Sequence, residues 1–313
     1  MRVGPQEEIQ SYPENYPDWT QQTAPEVLQL WQAQLRKNPD QPALIVDLDA
    51  TLFDSDAAFF DALLRMLSWF PNGRTESLPT LEAFITDPHA MQKLQSWLGG
   101  DLEYMRGYLD RRQQNRTFNR CHRLMDDKLP GRLTRLAQQA NFLGGLTARP
   151  DVDHVRTATW DACVASGLAP AMAGASIMFH DGDSTQRNDW KLAQLQHLVA
   201  VQQEVRPDSQ QRATTPLIMI DDGAALALKV EKRNAQAVFE FQGECWPPIL
   251  HILYIEGKQA LYGAQAAEVL ELTRRQDLAN HGVHIAQTWD EVEEIIDYDL
   301  ARRQEYAQSF ARR

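Results

Sequence analysis

Ala43-Leu44-Ile45-Val46-Asp47-Leu48-Asp49-Ala50-Thr51-Leu52-Phe53-Asp54 is a short apolar run that ends in two carboxylates one residue apart. Four consecutive apolar residues closed by a polar turn read as a strand buried on both faces, as in a parallel sheet. Ligands of open α/β sheets collect just beyond the carboxyl ends of such strands. Asp47 and Asp49 stand at that place, and period-two alternation would point both to one side of a continuing strand. A buried carboxylate pair is costly unless something neutralises it. A divalent cation with oxygen ligands, typically Mg²⁺, is the simplest candidate.

N-terminal to this run, Thr23-Ala24-Pro25-Glu26 is a capping box with proline just inside a helix that carries Leu28, Trp31 and Leu35 and stops at Asn38-Pro39. Met1 to Gln22 reads as an irregular arm. Beyond Asp54 the pattern turns helical, with runs at 59–70, 81–98 and 102–124 and no convincing strand. An insertion of about 75 residues is far longer than an ordinary loop, and such insertions at catalytic strand tips act as lids.

Strand and helix then alternate. A helix over Arg132 to Ala140 leads to a second strand ending at Thr147, and Val155 to Ser166 is helical. Ala175 to Phe179 is a third strand, followed by a helix from Asp189 to Val201 that carries Lys191 in its first turn. Pro216 to Ile220 is a fourth strand, ending in Asp221-Asp222-Gly223. A helix to Lys232 and a fifth strand, Ala237 to Phe241, complete the set. Alternation of this kind implies βαβ units and a parallel sheet covered on both faces. The tail from Gly243 to Arg313 reads as accessory helices, over 258–275 and from a second capping box at Thr288-Trp289-Asp290-Glu291. His281 and His284, three apart, have no third ligand nearby.

The chain has 313 residues, 43% hydrophobic and 24% charged, as expected for a soluble globular protein with ample core. Its formal net charge of −12 argues against indiscriminate binding to nucleic acid or anionic membrane. No apolar run approaches the ~18 residues that suggest a membrane span. Met1 to Thr20 shows no secretory signal, and Cys121, Cys163 and Cys245 have neither metal spacing nor an even framework. The expectation is a cytoplasmic protein with reduced thiols and no membrane partner.

Taken together, Asp47/Asp49, Thr147, Lys191 and Asp221/Asp222, each placed after its own strand, resemble the haloacid-dehalogenase-like (HAD) superfamily of Mg²⁺-dependent phosphohydrolases. The resemblance covers residues 41–56 and 130–242. It implies Asp47 as nucleophile, forming an aspartyl-phosphate, and Asp49 as general acid/base. It also implies a Mg²⁺ site at Asp47, Asp49 (through its carbonyl), Asp221 and Asp222. Thr147 would donate to a phosphoryl oxygen and Lys191 would neutralise charge. Ala50, Thr51, Ala148 and Arg149 would line the substrate, with an ion-paired structural role equally open for Arg149. Two features set this chain apart. Ala50 replaces the family's usual glycine, and Asp49 excludes the dehalogenase branch.

Residues 145–191, from Gly145-Leu146-Thr147-Ala148-Arg149-Pro150 to Asn188-Asp189-Trp190-Lys191, are also similar to the phosphatase domain of polynucleotide kinases. No Gly-x-x-x-x-Gly-Lys-Ser/Thr loop accompanies them, so a kinase half is not expected. Between Arg106 and Arg135 there are nine Lys/Arg and three acidic residues. Arg112, Arg116, Arg120 and Arg123 fall at helical spacing on one face. That stripe would draw a polyphosphate or nucleic-acid end towards Asp47, or serve as an ordinary solvated face.

The sequence therefore predicts an α/β fold, a doubly wound (Rossmann-like) parallel sheet with an all-helical cap inserted after the first strand. The expected units are an N-terminal arm and helix (1–40), a catalytic core (41–56 and 130–242), the cap (57–129) and an accessory helical segment (243–313). The expected activity is phosphomonoester hydrolysis on a phosphorylated small molecule. The alternatives are a nucleotide or nucleic-acid 3′-end phosphatase and a catalytically silent phosphate-sensing or protein-interaction module.

Overall fold

Ala43–Val46 forms strand β1, buried at every position, at the centre of a six-stranded sheet. The fold comes from a computed structural model that describes residues 15–54, 80, 123–182, 186–206, 215–236, 239–241, 244–255, 266–275 and 277–311. The other strands of the sheet are β2 (Phe142–Pro150), β3 (Ser176–His180), β4 (Leu217–Asp221), β7 (Ile249–Tyr254) and β8 (Val283–Ala286). Two further short strands, β5 (Phe239–Phe241) and β6 (Glu244–Trp246), pair antiparallel outside it. The order in the main sheet is β3-β2-β1-β4-β7-β8, and every pairing is parallel. The first three sheet strands wind outward one way and the last three the other, so the direction reverses between β1 and β4. That is the Rossmann-like arrangement, in which the crevice at the reversal is the favoured ligand site.

Strand residues alternate between two apolar layers. Leu44, Val46, Ile220 and Ile252 face one layer, shared with helices α2 (Leu129–Gln139), α3 (Asp153–Ala165), the one-turn α4 (Ala169–Met172) and α8 (Trp289–Ala311). Ala43, Ile45, Met219 and Leu253 face the other, shared with α1 (Ala24–Lys37), α5 (Arg187–Val205), α6 (Ala224–Gln236) and α7 (Ala266–Thr273). Burial on both sides explains the continuous apolar runs. The capping box of α1 forms as the sequence indicates, with Glu26 accepting from the Thr23 N–H at 2.7 Å. Trp31 on α1 stacks on Phe142 and lies against Gly144, where a Cβ would sit 2.6 Å from Cζ2 of the indole.

Several expectations need correction. The tail is not merely an accessory helical segment, because β7 and β8 extend the parallel sheet beyond β4. All six residues of β7 are buried, and the run directly follows Pro247-Pro248. The strand at Phe239–Phe241 exists, but it turns back on Glu244–Trp246 and does not join the sheet. β2 continues past Thr147 to Pro150, with a register shift between those residues that bends its end. In the arm, Asp18–Gln21 is a 3₁₀ turn whose Trp19 is buried and donates from Nε1 to the Met172 carbonyl at 3.2 Å.

The insertion is attached through paired extended chain. Phe53 and Leu124 form an antiparallel bridge, flanked by Asp54 N–H to Arg123 O at 2.8 Å and Met125 N–H to Leu52 O at 2.9 Å. Arg123 and Leu124 are thus not helical, because their backbone pairs with the outgoing chain. The expected helical cap from 57 to 122, apart from residue 80, lies outside the described residues, and with it Arg112, Arg116 and Arg120. Among the described residues, no helix is long and apolar enough to cross a membrane.

Candidate active site

Asp47 follows β1, and its N–H extends the ladder to Ile220 O at 2.9 Å, which fixes the residue beside β4. Asp221 ends β4, and Asp222 is the next residue. Lys191 projects from the first turns of α5, which begins two residues earlier than expected. Its ammonium lies between two carboxylates, 2.9 Å from Asp47 Oδ2 and 2.6 Å from Asp221 Oδ2. All three side chains are buried, with Asp221 only 1% exposed. Asp47, Asp221 and Asp222 can each offer one oxygen, all within 4.8 Å of one another. The sequence-predicted acidic cluster and its lysine therefore converge at the reversal of strand order.

Electrostatics in this cluster are dominated by burial. Desolvation pushes the Asp47 carboxyl well above its usual range; Lys191 counters that, while Asp221, Asp222 and Asp49 reinforce it. For Lys191, burial disfavours the charge, but Asp221 and Asp47 outweigh it and the ammonium holds its proton more tightly than usual. One oxygen, Asp47 Oδ1, is buried with no hydrogen-bond partner among the described residues. A buried carboxylate oxygen beside two further aspartates could hold a metal ion, and an all-oxygen donor set is of the kind Mg²⁺ takes.

Gly223 shapes this corner. Its N–H donates to Asp221 Oδ1 at 2.6 Å, and a Cβ there would lie 2.7 Å from that same oxygen. The same Cβ position is 3.7 Å from Asn188 Oδ1, which brings Asn188, three residues before Lys191, to the rim of the site.

The second carboxylate has a different environment. Asp49 accepts from Arg149 twice, Nε to Oδ2 at 2.9 Å and Nη2 to Oδ1 at 2.7 Å. Arg149 itself is fully buried; Nη1 donates to Thr159 Oγ1 at 2.9 Å, and the guanidinium lies 5.5 Å from the Phe53 ring centroid. Burial works against the Arg149 charge, but Asp49 more than offsets it and the guanidinium titrates above its ordinary range. Thr147 is buried at the bent end of β2, where its Oγ1 accepts the Arg149 N–H at 3.2 Å. Of the residues expected to line substrate, Ala50 and Ala148 are half-exposed, whereas Thr51 and Arg149 are buried. Arg149 takes the ion-paired role.

Ala50 turns the chain between Asp49 and Thr51 with φ of 62°, the single positive φ at a non-glycine residue among those described. The left-handed region suits a residue without a Cβ, so alanine is strained at this turn.

Two neighbours of the cluster escaped the sequence reading. His251 on β7 pairs with Met219 in register, one row behind Asp221, and is fully buried with neither ring nitrogen partnered among the described residues. Burial, opposed by Asp221 and aided by Lys191, holds its imidazole down at about 4. A histidine within Ile249-Leu250-His251-Ile252-Leu253 is the signal that could have drawn attention to it. Asn188 had no signal beyond its distance from Lys191. Comparison with family models, with curated proteins and with solved structures found no match for this chain.

Proposed function

We propose that this chain is a Mg²⁺-dependent, HAD-like phosphohydrolase that cleaves a phosphomonoester through an aspartyl-phosphate on Asp47. The observation that carries the reading is the Lys191 ammonium held between Asp47 and Asp221, with Asp47 Oδ1 buried beside Asp222 and without a hydrogen-bond partner among the described residues. Carboxylates and a lysine brought to one switch point from three separate elements suit phosphoryl transfer, where positioning and electrostatics supply most of the catalysis.

In this scheme an Asp47 oxygen attacks phosphorus, and the bond to the leaving oxygen breaks. Asp49 gives that oxygen a proton. Both Asp49 oxygens accept from Arg149, so one of the two contacts must open and Asp49 must take up a proton from solvent before it can give one to the leaving oxygen. Asp49 then takes a proton from water as the water oxygen attacks phospho-Asp47, releasing inorganic phosphate and restoring the carboxylate. Lys191 offsets the charge of the nucleophile throughout. Asp47, Asp221, Asp222 and the Asp49 carbonyl would hold Mg²⁺, which supplies Lewis-acid neutralisation of the transferring phosphoryl group.

The test is phosphate release from sugar phosphates, nucleoside 5′- and 3′-monophosphates, phosphoamino acids and 3′-phosphorylated oligonucleotides. Each is assayed with Mg²⁺, with EDTA and with Asp47→Asn. Turnover that needs both the metal and Asp47 is expected, with a small phosphorylated metabolite preferred. A preference for 3′-phosphorylated oligonucleotides would favour the nucleic-acid-end reading. Silence across the panel from folded, Mg²⁺-binding protein would favour a non-catalytic module.

A further inference from the structure

The Asp47–Asp49 loop is restrained from three directions. From β4, Ile220 O accepts the Asp47 N–H; from β2, Arg149 grips the Asp49 side chain. The third restraint comes from the opposite end of the chain. Trp289, the first residue of α8, donates its indole N–H to the Thr51 carbonyl at 3.3 Å, a contact spanning 238 residues. Thr51 follows the strained Ala50 turn, and the next amides are spent inside the loop, with Leu52 and Phe53 N–H both donating to Leu48 O at 2.9 Å. The indole is itself fixed: it is 1% exposed and packs on Tyr254 of β7 with ring centroids 5.7 Å apart.

The same end of α8 also holds the chain that returns from the insertion. Arg132 on α2 donates to Asp290 Oδ1 at 2.6 Å and to Glu293 Oε2 at 2.5 Å, and lies 3.0 Å from Asp126 Oδ2. The first turns of α8 thus bind the loop that leaves the site and the segment that comes back to it.

We infer that Trp289 is a positioning residue for the reactive loop, acting through the Thr51 carbonyl to keep Asp47 and Asp49 in register. This rests on the phosphohydrolase reading above for its catalytic consequence, and on the geometry alone for its structural one. A strained turn keeps its conformation only when its surroundings over-determine it. Reacting carboxylates must also be held to within about 0.5 Å of their working geometry. Removing one such hydrogen bond should relax the loop without unfolding the sheet.

The test uses the full chain with Trp289→Phe, which keeps an aromatic ring against Tyr254 and deletes the donor. A second variant places the benzothienyl analogue of tryptophan at 289, replacing the N–H with sulfur. With an aryl phosphate as substrate, kcat should fall about five- to ten-fold while KM changes less than about two-fold, the size expected for one net hydrogen bond. Amide hydrogen exchange over residues 48–53 should quicken, while the β7 and β8 amides keep their protection. Unchanged exchange over 48–53 in both variants would overturn the inference, as would faster exchange spread evenly over the sheet. If the wild-type protein turns over no phosphate ester, the phosphohydrolase reading fails, and the exchange measurement still decides the role of Trp289.

Discussion

Arg149 holds Asp49 by two parallel hydrogen bonds, at 2.9 and 2.7 Å, from a guanidinium that is itself sealed from solvent. A planar fork can do this; an ammonium cannot. Arg149→Lys keeps the charge and loses the bidentate grip. If the proposed phosphohydrolase activity holds, kcat on an aryl phosphate should fall at least about ten-fold with KM nearly constant, because the interaction lost orients Asp49 and does not touch substrate. A rise in KM at constant kcat would place Arg149 on the substrate instead.

Ala50 occupies the left-handed region at φ 62°, where a Cβ costs about 1 kcal/mol. Ala50→Gly should therefore raise the unfolding free energy in urea titrations, by less than that amount because the glycine variant's unfolded chain has more entropy. A loss of stability would show that the surrounding contacts, and not the turn, govern this position.

Gly223 leaves no room for a side chain beside Asp221 Oδ1. Gly223→Ala should rotate that carboxylate out of the cluster and weaken Mg²⁺ binding about ten-fold or more, as measured by calorimetric titration. Equal affinity in the two proteins would remove Asp221 from the proposed cation site.

His251 supplies a pH prediction. Its imidazole titrates at about 4 in the folded chain against 6.5 as the ordinary value, because burial penalises the cation. The depressed value means the unfolded chain binds the extra proton first. The stability carried by neutral His251 is therefore full above pH 6.5 and is lost as pH falls towards 4. The loss attributable to this group is roughly 3 kcal/mol. Denaturant melts across that window should be steeper in pH for the wild type than for His251→Leu, and parallel curves would assign the pH dependence to other groups.

The first four strands of the parallel sheet and the acidic residues Asp47, Asp221 and Asp222 were legible because buried strands are apolar runs ended by polar residues, whereas Lys191, on a helix, came only with the family resemblance. Position at a strand end thus coincides with position at the site. The end of the sheet was harder. β8 is four residues long with a histidine inside it, and β7 follows a Cys-Trp-Pro-Pro run, so neither stands out against a tail rich in helix formers. Phe239–Phe241 has a strand's composition, yet composition does not say with what it pairs. Arg149 shows the same limit at the site: its sequence neighbours suit a phosphate contact and an ion pair equally, and its burial against Phe53 and Thr159 selects the pair. The left-handed turn at Ala50 and the Trp289 contact depend on chain geometry and on a partner 238 residues away, which no local pattern encodes.

The proposed phosphohydrolase would carry a covalent phosphoryl group on Asp47 during turnover, and trapping that group tests the proposal. Protein mixed with Mg²⁺ and an aryl phosphate, quenched in acid during turnover and digested, should yield the Asp47 peptide heavier by one phosphoryl group. The adduct should be absent from Asp47→Asn and from samples prepared in EDTA. Metal-dependent phosphate release with no adduct on that peptide, undiminished in Asp47→Asn, would rule out an aspartyl-phosphate at Asp47.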